Sequence, residues 1–222
     1  MKNKVRGILF DFDGVLADSM NDNFLAWEKA FSDLGVKIQK EEYFILEGRR
    51  LIEIAKILGE KYQINPEGYQ KVVELKNKYY LDLYSFKFYP GVKEFIYLLK
   101  RENFLISIVS ASPKEKLEKT VPKEFLKKFD VVICEDDLEK GKPDPEPYLK
   151  ASKKLGLLPE ECIAIENSPL GIESAKRAGI YCIAICSTLD KFLLRNADVI
   201  INDFKELRNI DKLKFDNHSE TF

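Results

Sequence analysis

Two aspartates two residues apart, Asp11 and Asp13, stand directly behind a short apolar run, Gly7 to Phe10, in the segment Asp11-Phe12-Asp13-Gly14-Val15-Leu16-Ala17-Asp18-Ser19. In extended chain, residues i and i+2 point to the same side, so the two carboxylates can share one site while Phe12 faces away into the core. Gly14 lets the chain turn sharply after them. Two carboxylates held together repel unless a cation joins them or one carries a proton. Either remedy is useful in catalysis. Magnesium takes hard oxygen ligands, commonly one or two carboxylates with substrate phosphate and water, and a carboxylic acid can protonate a departing oxygen. Alone, Asp-x-Asp also reads as a surface turn or an unrelated metal loop.

Three later clusters supply polar groups suited to phosphate: Ser110-Ala111-Ser112, Lys142-Pro143-Asp144 and Glu166-Asn167-Ser168. Each has a plainer reading. Ser110 also suits a strand-end cap, Lys142 a solvated lysine beside a helix start, and Asn167 a cap for the helix that follows. The single histidine, His218, sits in the polar tail Asp216 to Thr221. This disfavours Ser-His-Asp, Cys-His and histidine-metal chemistry together and leaves carboxylates and lysines to act.

The elements that would position these groups follow from periodicity. Apolar runs suited to buried parallel strands recur at Gly7 to Phe10, Phe104 to Val109, Val131 to Cys134, Cys162 to Ile165, Tyr181 to Cys186 and Val199 to Ile201. Helical patterns lie between most of them. One is signalled at both ends, by Ser168 and Pro169 at its start and Gly179 at its close. Another runs from Asp144 and Pro145 to Leu155 and Gly156. Strands alternating with helices predict a doubly wound, mostly parallel α/β core, which binds ligands beyond the carboxyl ends of its strands.

The stretch from about Ser19 to Phe88 breaks the alternation. It shows helical periodicity only, with stripes Trp27, Ala30, Phe31, Leu34, then Leu51, Ile54, Ala55, Leu58, then Val72, Val73, Lys76, Tyr80, Leu83. We expect an inserted α-helical domain over residues 18–87, with the core formed by 1–17 and 88–222.

Charge points the same way. Among 222 residues, 36 Lys and Arg offset 37 Asp and Glu, so no overall field favours nucleic acid or an anionic membrane. A small-molecule partner is the simpler expectation. Cys134, Cys162, Cys182 and Cys186 lie in or beside apolar runs without CxxC spacing, as buried reduced thiols do. With no signal peptide or membrane span legible, the expected location is the cytoplasm. No face reads as an oligomer interface.

Taken jointly, the four clusters resemble the four motifs of the haloacid dehalogenase superfamily, in order and over nearly the whole chain. The resemblance implies a magnesium-dependent phosphatase acting on a small phosphorylated metabolite, a sugar phosphate or phosphoglycolate for example. It implies Asp11 as the nucleophile that forms an aspartyl phosphate and Asp13 as the acid that protonates the leaving oxygen and then activates water. Ser110 and Ala111 would bind phosphoryl oxygens, and Lys142 would neutralise the transferring group. The magnesium site would draw on Asp11, Asp13, Glu166 and Asn167. Asn167 departs from the acid that related sequences commonly carry there, and offers a carbonyl oxygen without charge.

The helical insertion looks like the small cap that closes over substrate in this superfamily. Its candidate substrate cations are Arg49, Arg50 and Lys76. Lys76 resembles a lysine of the β-phosphoglucomutase-like subgroup, and that subgroup's cap arginine matches Arg50, with a register ambiguity against Arg49. Ordinary surface charge is the first reading of all three. Against a haloacid dehalogenase stands the pairing of Asp13 with Glu166. Against a phosphomutase stands Asn23, where that subgroup commonly carries a histidine. Against a non-catalytic binding protein stands the intact set Asp11, Asp13, Ser110 and Lys142.

Overall fold

The computed structural model describes residues 4–207; His218 lies outside them. A four-residue strand, β1 (Gly7–Phe10), leads into four helices, α1 (Met20–Ser32), α2 (Lys40–Phe44), α3 (Leu51–Lys61) and α4 (Tyr69–Leu83). There follow α5 (Val92–Arg101), β2 (Leu105–Val109), α6 (Lys114–Thr120), α7 (Lys123–Leu126), β3 (Val131–Ile133), α8 (Glu146–Lys154), β4 (Cys162–Glu166), α9 (Pro169–Arg177), β5 (Tyr181–Ile185) and β6 (Val199–Ile201).

The six strands form one all-parallel sheet in the order β3-β2-β1-β4-β5-β6. Its two faces are read directly from alternation. Ile8 and Phe10 of β1 join Ile106, Ile108, Ile163 and Ile165 in one apolar cluster, which Phe95 of α5 and Leu117 of α6 cover. Leu9 points the other way, to Val109, Ala164 and Cys182, under Tyr148 and Ala151 of α8 and Ile172 and Ala175 of α9. With both faces covered, the strands need unbroken apolar runs, which is what made them legible.

The strand order reverses direction between β1 and β4, and a crevice opens beyond the carboxyl ends there. Asp11 follows β1 and Glu166 ends β4, and the Asp11 N–H donates to the Ile165 carbonyl at 2.9 Å. The sequence thus delivers both acids to the switch point.

Helices α1 to α4 bury an apolar cluster of their own around Trp27, Phe31, Tyr43, Ile54, Leu58 and Val72. Four residues assigned to its helical stripes fall outside it: Leu34, past the end of α1, and Leu83, in the last turn of α4, are exposed, while Lys76 and Tyr80 are buried but lie outside this cluster. The short helix α2 was not foreseen. Its capping box, in which the Glu42 carboxylate accepts from the Gln39 N–H at 2.8 Å, stabilises a single turn too brief to show periodicity. Among the described residues no helix is long and apolar enough to cross a membrane. Cys134, Cys162 and Cys182 are buried free thiols, and Cys186 is half-buried.

Candidate active site

Asp11 and Glu166 meet on one ammonium. Lys142 Nζ donates to Asp11 Oδ1 at 2.5 Å, to Glu166 Oε1 at 2.6 Å and to the Val109 carbonyl at 3.2 Å. Lys142 is buried, not the solvated side chain of its plainer reading. The Tyr148 hydroxyl donates to the same Glu166 oxygen at 2.7 Å, and the N–H groups of Asn167 and Ser168 donate to Oε2. Burial opposes the Lys142 charge, but Asp11 and Glu166 outweigh it and hold the ammonium above the ordinary lysine value. Burial, with Glu166 adding to it, pushes the Asp11 carboxyl well above the usual carboxylate range against the pull of Lys142.

Asp13 does not share that site in the way its spacing suggested. Phe12 does turn into the core, but Asp13 is held by a separate set of donors. Ser19 Oγ at 2.5 Å and Asn23 Nδ2 at 3.0 Å donate to Oδ1, while Ser112 Oγ at 2.9 Å and Lys116 Nζ at 3.0 Å donate to Oδ2. Burial alone would raise the carboxyl. The Lys116 ammonium, with Ser19 and Lys76, reverses this and brings it down to about 2. Each aspartate therefore has its own buried lysine.

Gly14 makes the turn between the two sets. Its φ of +88° lies in the left-handed region, and an added Cβ would fall 2.0 Å from Asn167 Nδ2. Asn167 is not the helix cap: that role belongs to Ser168, whose hydroxyl accepts from the Gly171 N–H at 3.1 Å. Asn167 donates from Nδ2 to Thr188 Oγ1 at 3.0 Å, which leaves its buried Oδ1 without a partner.

These groups suit a magnesium ion. Among the described residues no three His, Cys, Asp or Glu side chains gather as a metal cluster. With both carboxyls ionised, Asp11, Glu166 and Lys142 would nevertheless carry one net negative charge in a buried place, next in sequence to the orphaned amide oxygen of Asn167. Hard oxygen donors in charge deficit are what a hard divalent cation satisfies. The Asp13 side chain stands apart from this set, with both oxygens already engaged.

Ser110 is buried at the end of β2 and its Oγ accepts from the Ser112 N–H at 3.1 Å, so the strand-end cap geometry is present. A small pocket beside it is lined by Ser110, Ala111, Lys142, Glu135, Pro147 and Arg50. Arg50 crosses from the helical segment to the core, donating from Nε to Glu135 Oε1 at 3.2 Å and from Nη1 to the Glu139 carbonyl at 3.1 Å. Arg49 turns aside to Glu53, 3.5 Å away. The preceding Gly48, at φ +93°, brings the backbone so close that a Cβ would sit 3.2 Å from Ser168 Oγ and 3.6 Å from Lys142 Cδ. The helical segment thus lies directly over the strand ends.

Lys76 departs furthest from its first reading. Surface charge was expected, yet the side chain is 1% exposed. It donates to Asn23 Oδ1 at 2.9 Å and lies 5.0 Å from the Tyr80 ring centre. Burial, then the neighbouring Lys116, lower its pKa to about 7. A helix face that packs against another layer rather than water accounts for the error.

The fold and the strand-end acids together match the family model for haloacid dehalogenase-like hydrolases over residues 8–185. The chain belongs to this family. It is 30% identical over 209 residues to validoxylamine A 7'-phosphate phosphatase of Streptomyces hygroscopicus subsp. limoneus, covering 90% of this chain and 94% of that protein. It is 29% identical over 195 residues to β-phosphoglucomutase of Bacillus subtilis, covering 82% and 83%. A solved structure described as an HAD hydrolase of family IA, variant 3, from Entamoeba histolytica superposes with a TM-score of 0.81 at 28% identity, covering 94% of this chain and 98% of that one.

Sequence reasoning missed Lys116, Ser19 and Tyr148 as site residues and read Ser112 as part of a phosphate cluster, not as a donor to Asp13. Lys116, in the first turn of α6 four residues behind Ser112, was the available signal. Tyr148 gave none, since it reads as part of an apolar helix stripe.

Proposed function

We propose that the protein is a magnesium-dependent phosphatase that hydrolyses a small phosphorylated metabolite through an aspartyl phosphate on Asp11. The observation that carries this reading is the Asp11–Lys142–Glu166 arrangement at the sheet's switch point, a carboxylate nucleophile with a cation already beside it. In the first half-reaction Asp11 Oδ attacks phosphorus as the ester P–O bond breaks, and the leaving oxygen takes a proton from Asp13. In the second, water gives a proton to Asp13 and attacks the acyl phosphate, releasing phosphate and restoring Asp11. Lys142 spreads positive charge over the transferring group, and Ser110 with Ala111 positions its oxygens. Asp11, Glu166 and Asn167 Oδ1 would hold the magnesium, which when bound there offsets the charge of the phosphoryl group.

Asp13 as the fold holds it, ionised with four donors, is ready to accept a proton from water. To donate one it must first take up a proton, such as the one that water gives it in the second half-reaction, and lose a donor to make room for it. The segment over residues 18–87, read as a cap, excludes water from both steps and brings Arg50 and Lys76 to the substrate. Asn23 occupies the place where a histidine would favour transfer back to a sugar, which supports hydrolysis.

Phosphate release from a panel of phosphate monoesters, with magnesium and with EDTA, tests the reading. Magnesium-dependent release is expected. Metal-independent halide release from a 2-haloacid, or no turnover of any ester, would overturn it.

A further inference from the structure

Two lysine side chains converge in the seam between the helical segment and the sheet. Lys76 comes from α4 and Lys116 from α6, and both donate to the same acceptor, Asn23 Oδ1, at 2.9 and 3.2 Å. Both stand over the same ring, Tyr80, at 5.0 and 4.2 Å from its centre. Both are buried. Lys116 has Asp13 as its counter-ion, but among the described residues no carboxylate lies within ion-pair distance of Lys76. Glu47 faces the pair without reaching it, and its buried Oε2 is itself unpartnered.

Buried lysines are ordinarily paired, because a lone ammonium out of water is costly and a like charge beside it adds to the cost. Of the carboxylates around them only Asp13 touches either lysine; Glu47 and Glu135 face Lys76 from farther off, so Lys76 has no anion in contact with it.

We propose that Lys76 and Lys116 form a second anion subsite, and that the substrate is a short phosphorylated hydroxy acid whose carboxylate they bind. This rests on the phosphatase reading above for which bond is broken. Distance selects the short chain. Lys116 Nζ touches the carboxylate that serves the leaving oxygen, so an oxygen within hydrogen-bond reach of Asp13 lies within about 6 Å of that ammonium. An anion bound between the two lysines is therefore only a few bonds from the ester oxygen. The subsite also has a consequence for the chemistry. An anion that draws Lys116 to itself leaves Asp13 Oδ2 with Ser112 as its one remaining donor and so opens room for the leaving group there.

The test compares 2-phosphoglycolate with 2-hydroxyethyl phosphate, which differ in the carboxylate alone, and with fructose 1,6-bisphosphate, whose second anion is remote. Phosphate release gives kcat/KM for the wild type, Lys76→Met and Lys116→Met. Calorimetric binding to Asp11→Asn, with and without the same lysine changes, gives a readout free of turnover. The wild type should prefer 2-phosphoglycolate over 2-hydroxyethyl phosphate by about ten- to a hundredfold, and each lysine variant should bring that ratio close to one. Equal handling of the two esters by the wild type would overturn the subsite, as would a preference that survives in both variants. A clear preference for the bisphosphate would overturn the short carboxylate. If no ester releases phosphate, the phosphatase reading fails, and the binding ratio still decides the subsite.

Discussion

Lys116 places its ammonium 3.0 Å from Asp13 Oδ2, with both side chains buried, while Asp11 two residues away is paired with Lys142 instead. The two aspartates are thereby given different electrostatic surroundings. Asp11 is pushed up by burial and by Glu166, and Asp13 is brought down to about 2. Two acids set apart by their surroundings are the arrangement from which different catalytic roles arise.

Replacing Lys116 tests that separation through stability. The folded value of about 2 for Asp13 is below the ordinary 3.8 of the unfolded chain, so its stabilising contribution is present above about pH 4 and lost as pH falls toward 2. In Lys116→Met the buried carboxylate loses its counter-ion and its pKa rises. The variant should be less stable than the wild type at pH 7, by on the order of 2 kcal/mol. The gap in Tm should narrow as pH falls toward 3. A gap that stays constant across that range would show that Lys116 does not set the Asp13 charge.

Asp11→Asn should abolish turnover while leaving the circular dichroism spectrum and folding cooperativity unchanged. An amide is a poor nucleophile and cannot take a divalent cation as a charged ligand. Turnover within about tenfold of the wild type, in a sample verified by mass spectrometry, is the result that removes Asp11 from the nucleophile's place.

Asn167→Asp places a charge where the unpartnered Oδ1 now lies. The Thr188 hydroxyl, which accepts from Asn167 Nδ2, can turn to donate to the new carboxylate. We expect the magnesium concentration for half-maximal activity to fall by roughly tenfold. Superimposable titrations of activity against magnesium would take this side chain out of the metal site.

Arg50→Ala and Arg49→Ala should differ. Arg50 spans the seam to Glu135 and the Glu139 carbonyl, whereas Arg49, just ahead of α3, pairs with Glu53 in its first turn, a partly exposed contact of small effect. Steady-state kinetics should show KM raised several-fold in Arg50→Ala and little changed in Arg49→Ala. The reverse order would assign the substrate-facing role to Arg49.

The sequence alone determined the sheet, because strands covered on both faces must be apolar along their length, and six such runs were visible at the positions of β1 to β6. It also placed Asp11 and Glu166 at strand ends, since the residue behind a buried strand leaves the core by geometry. Those relations are local. The partners of each acid are not: Lys142 lies 131 residues from Asp11, and Lys116 lies 103 from Asp13. Periodicity reports which side of an element faces a core, but not which other element will cover it. Thus Lys76, on a polar stretch of α4, read as surface charge until packing brought α4 over α1 and α6. Ser168 was legible as the cap of α9, but that the Asn167 Oδ1 beside it is buried and unpartnered was not. Tertiary structure decided these because burial and pairing of a charge depend on distances between segments far apart in the chain.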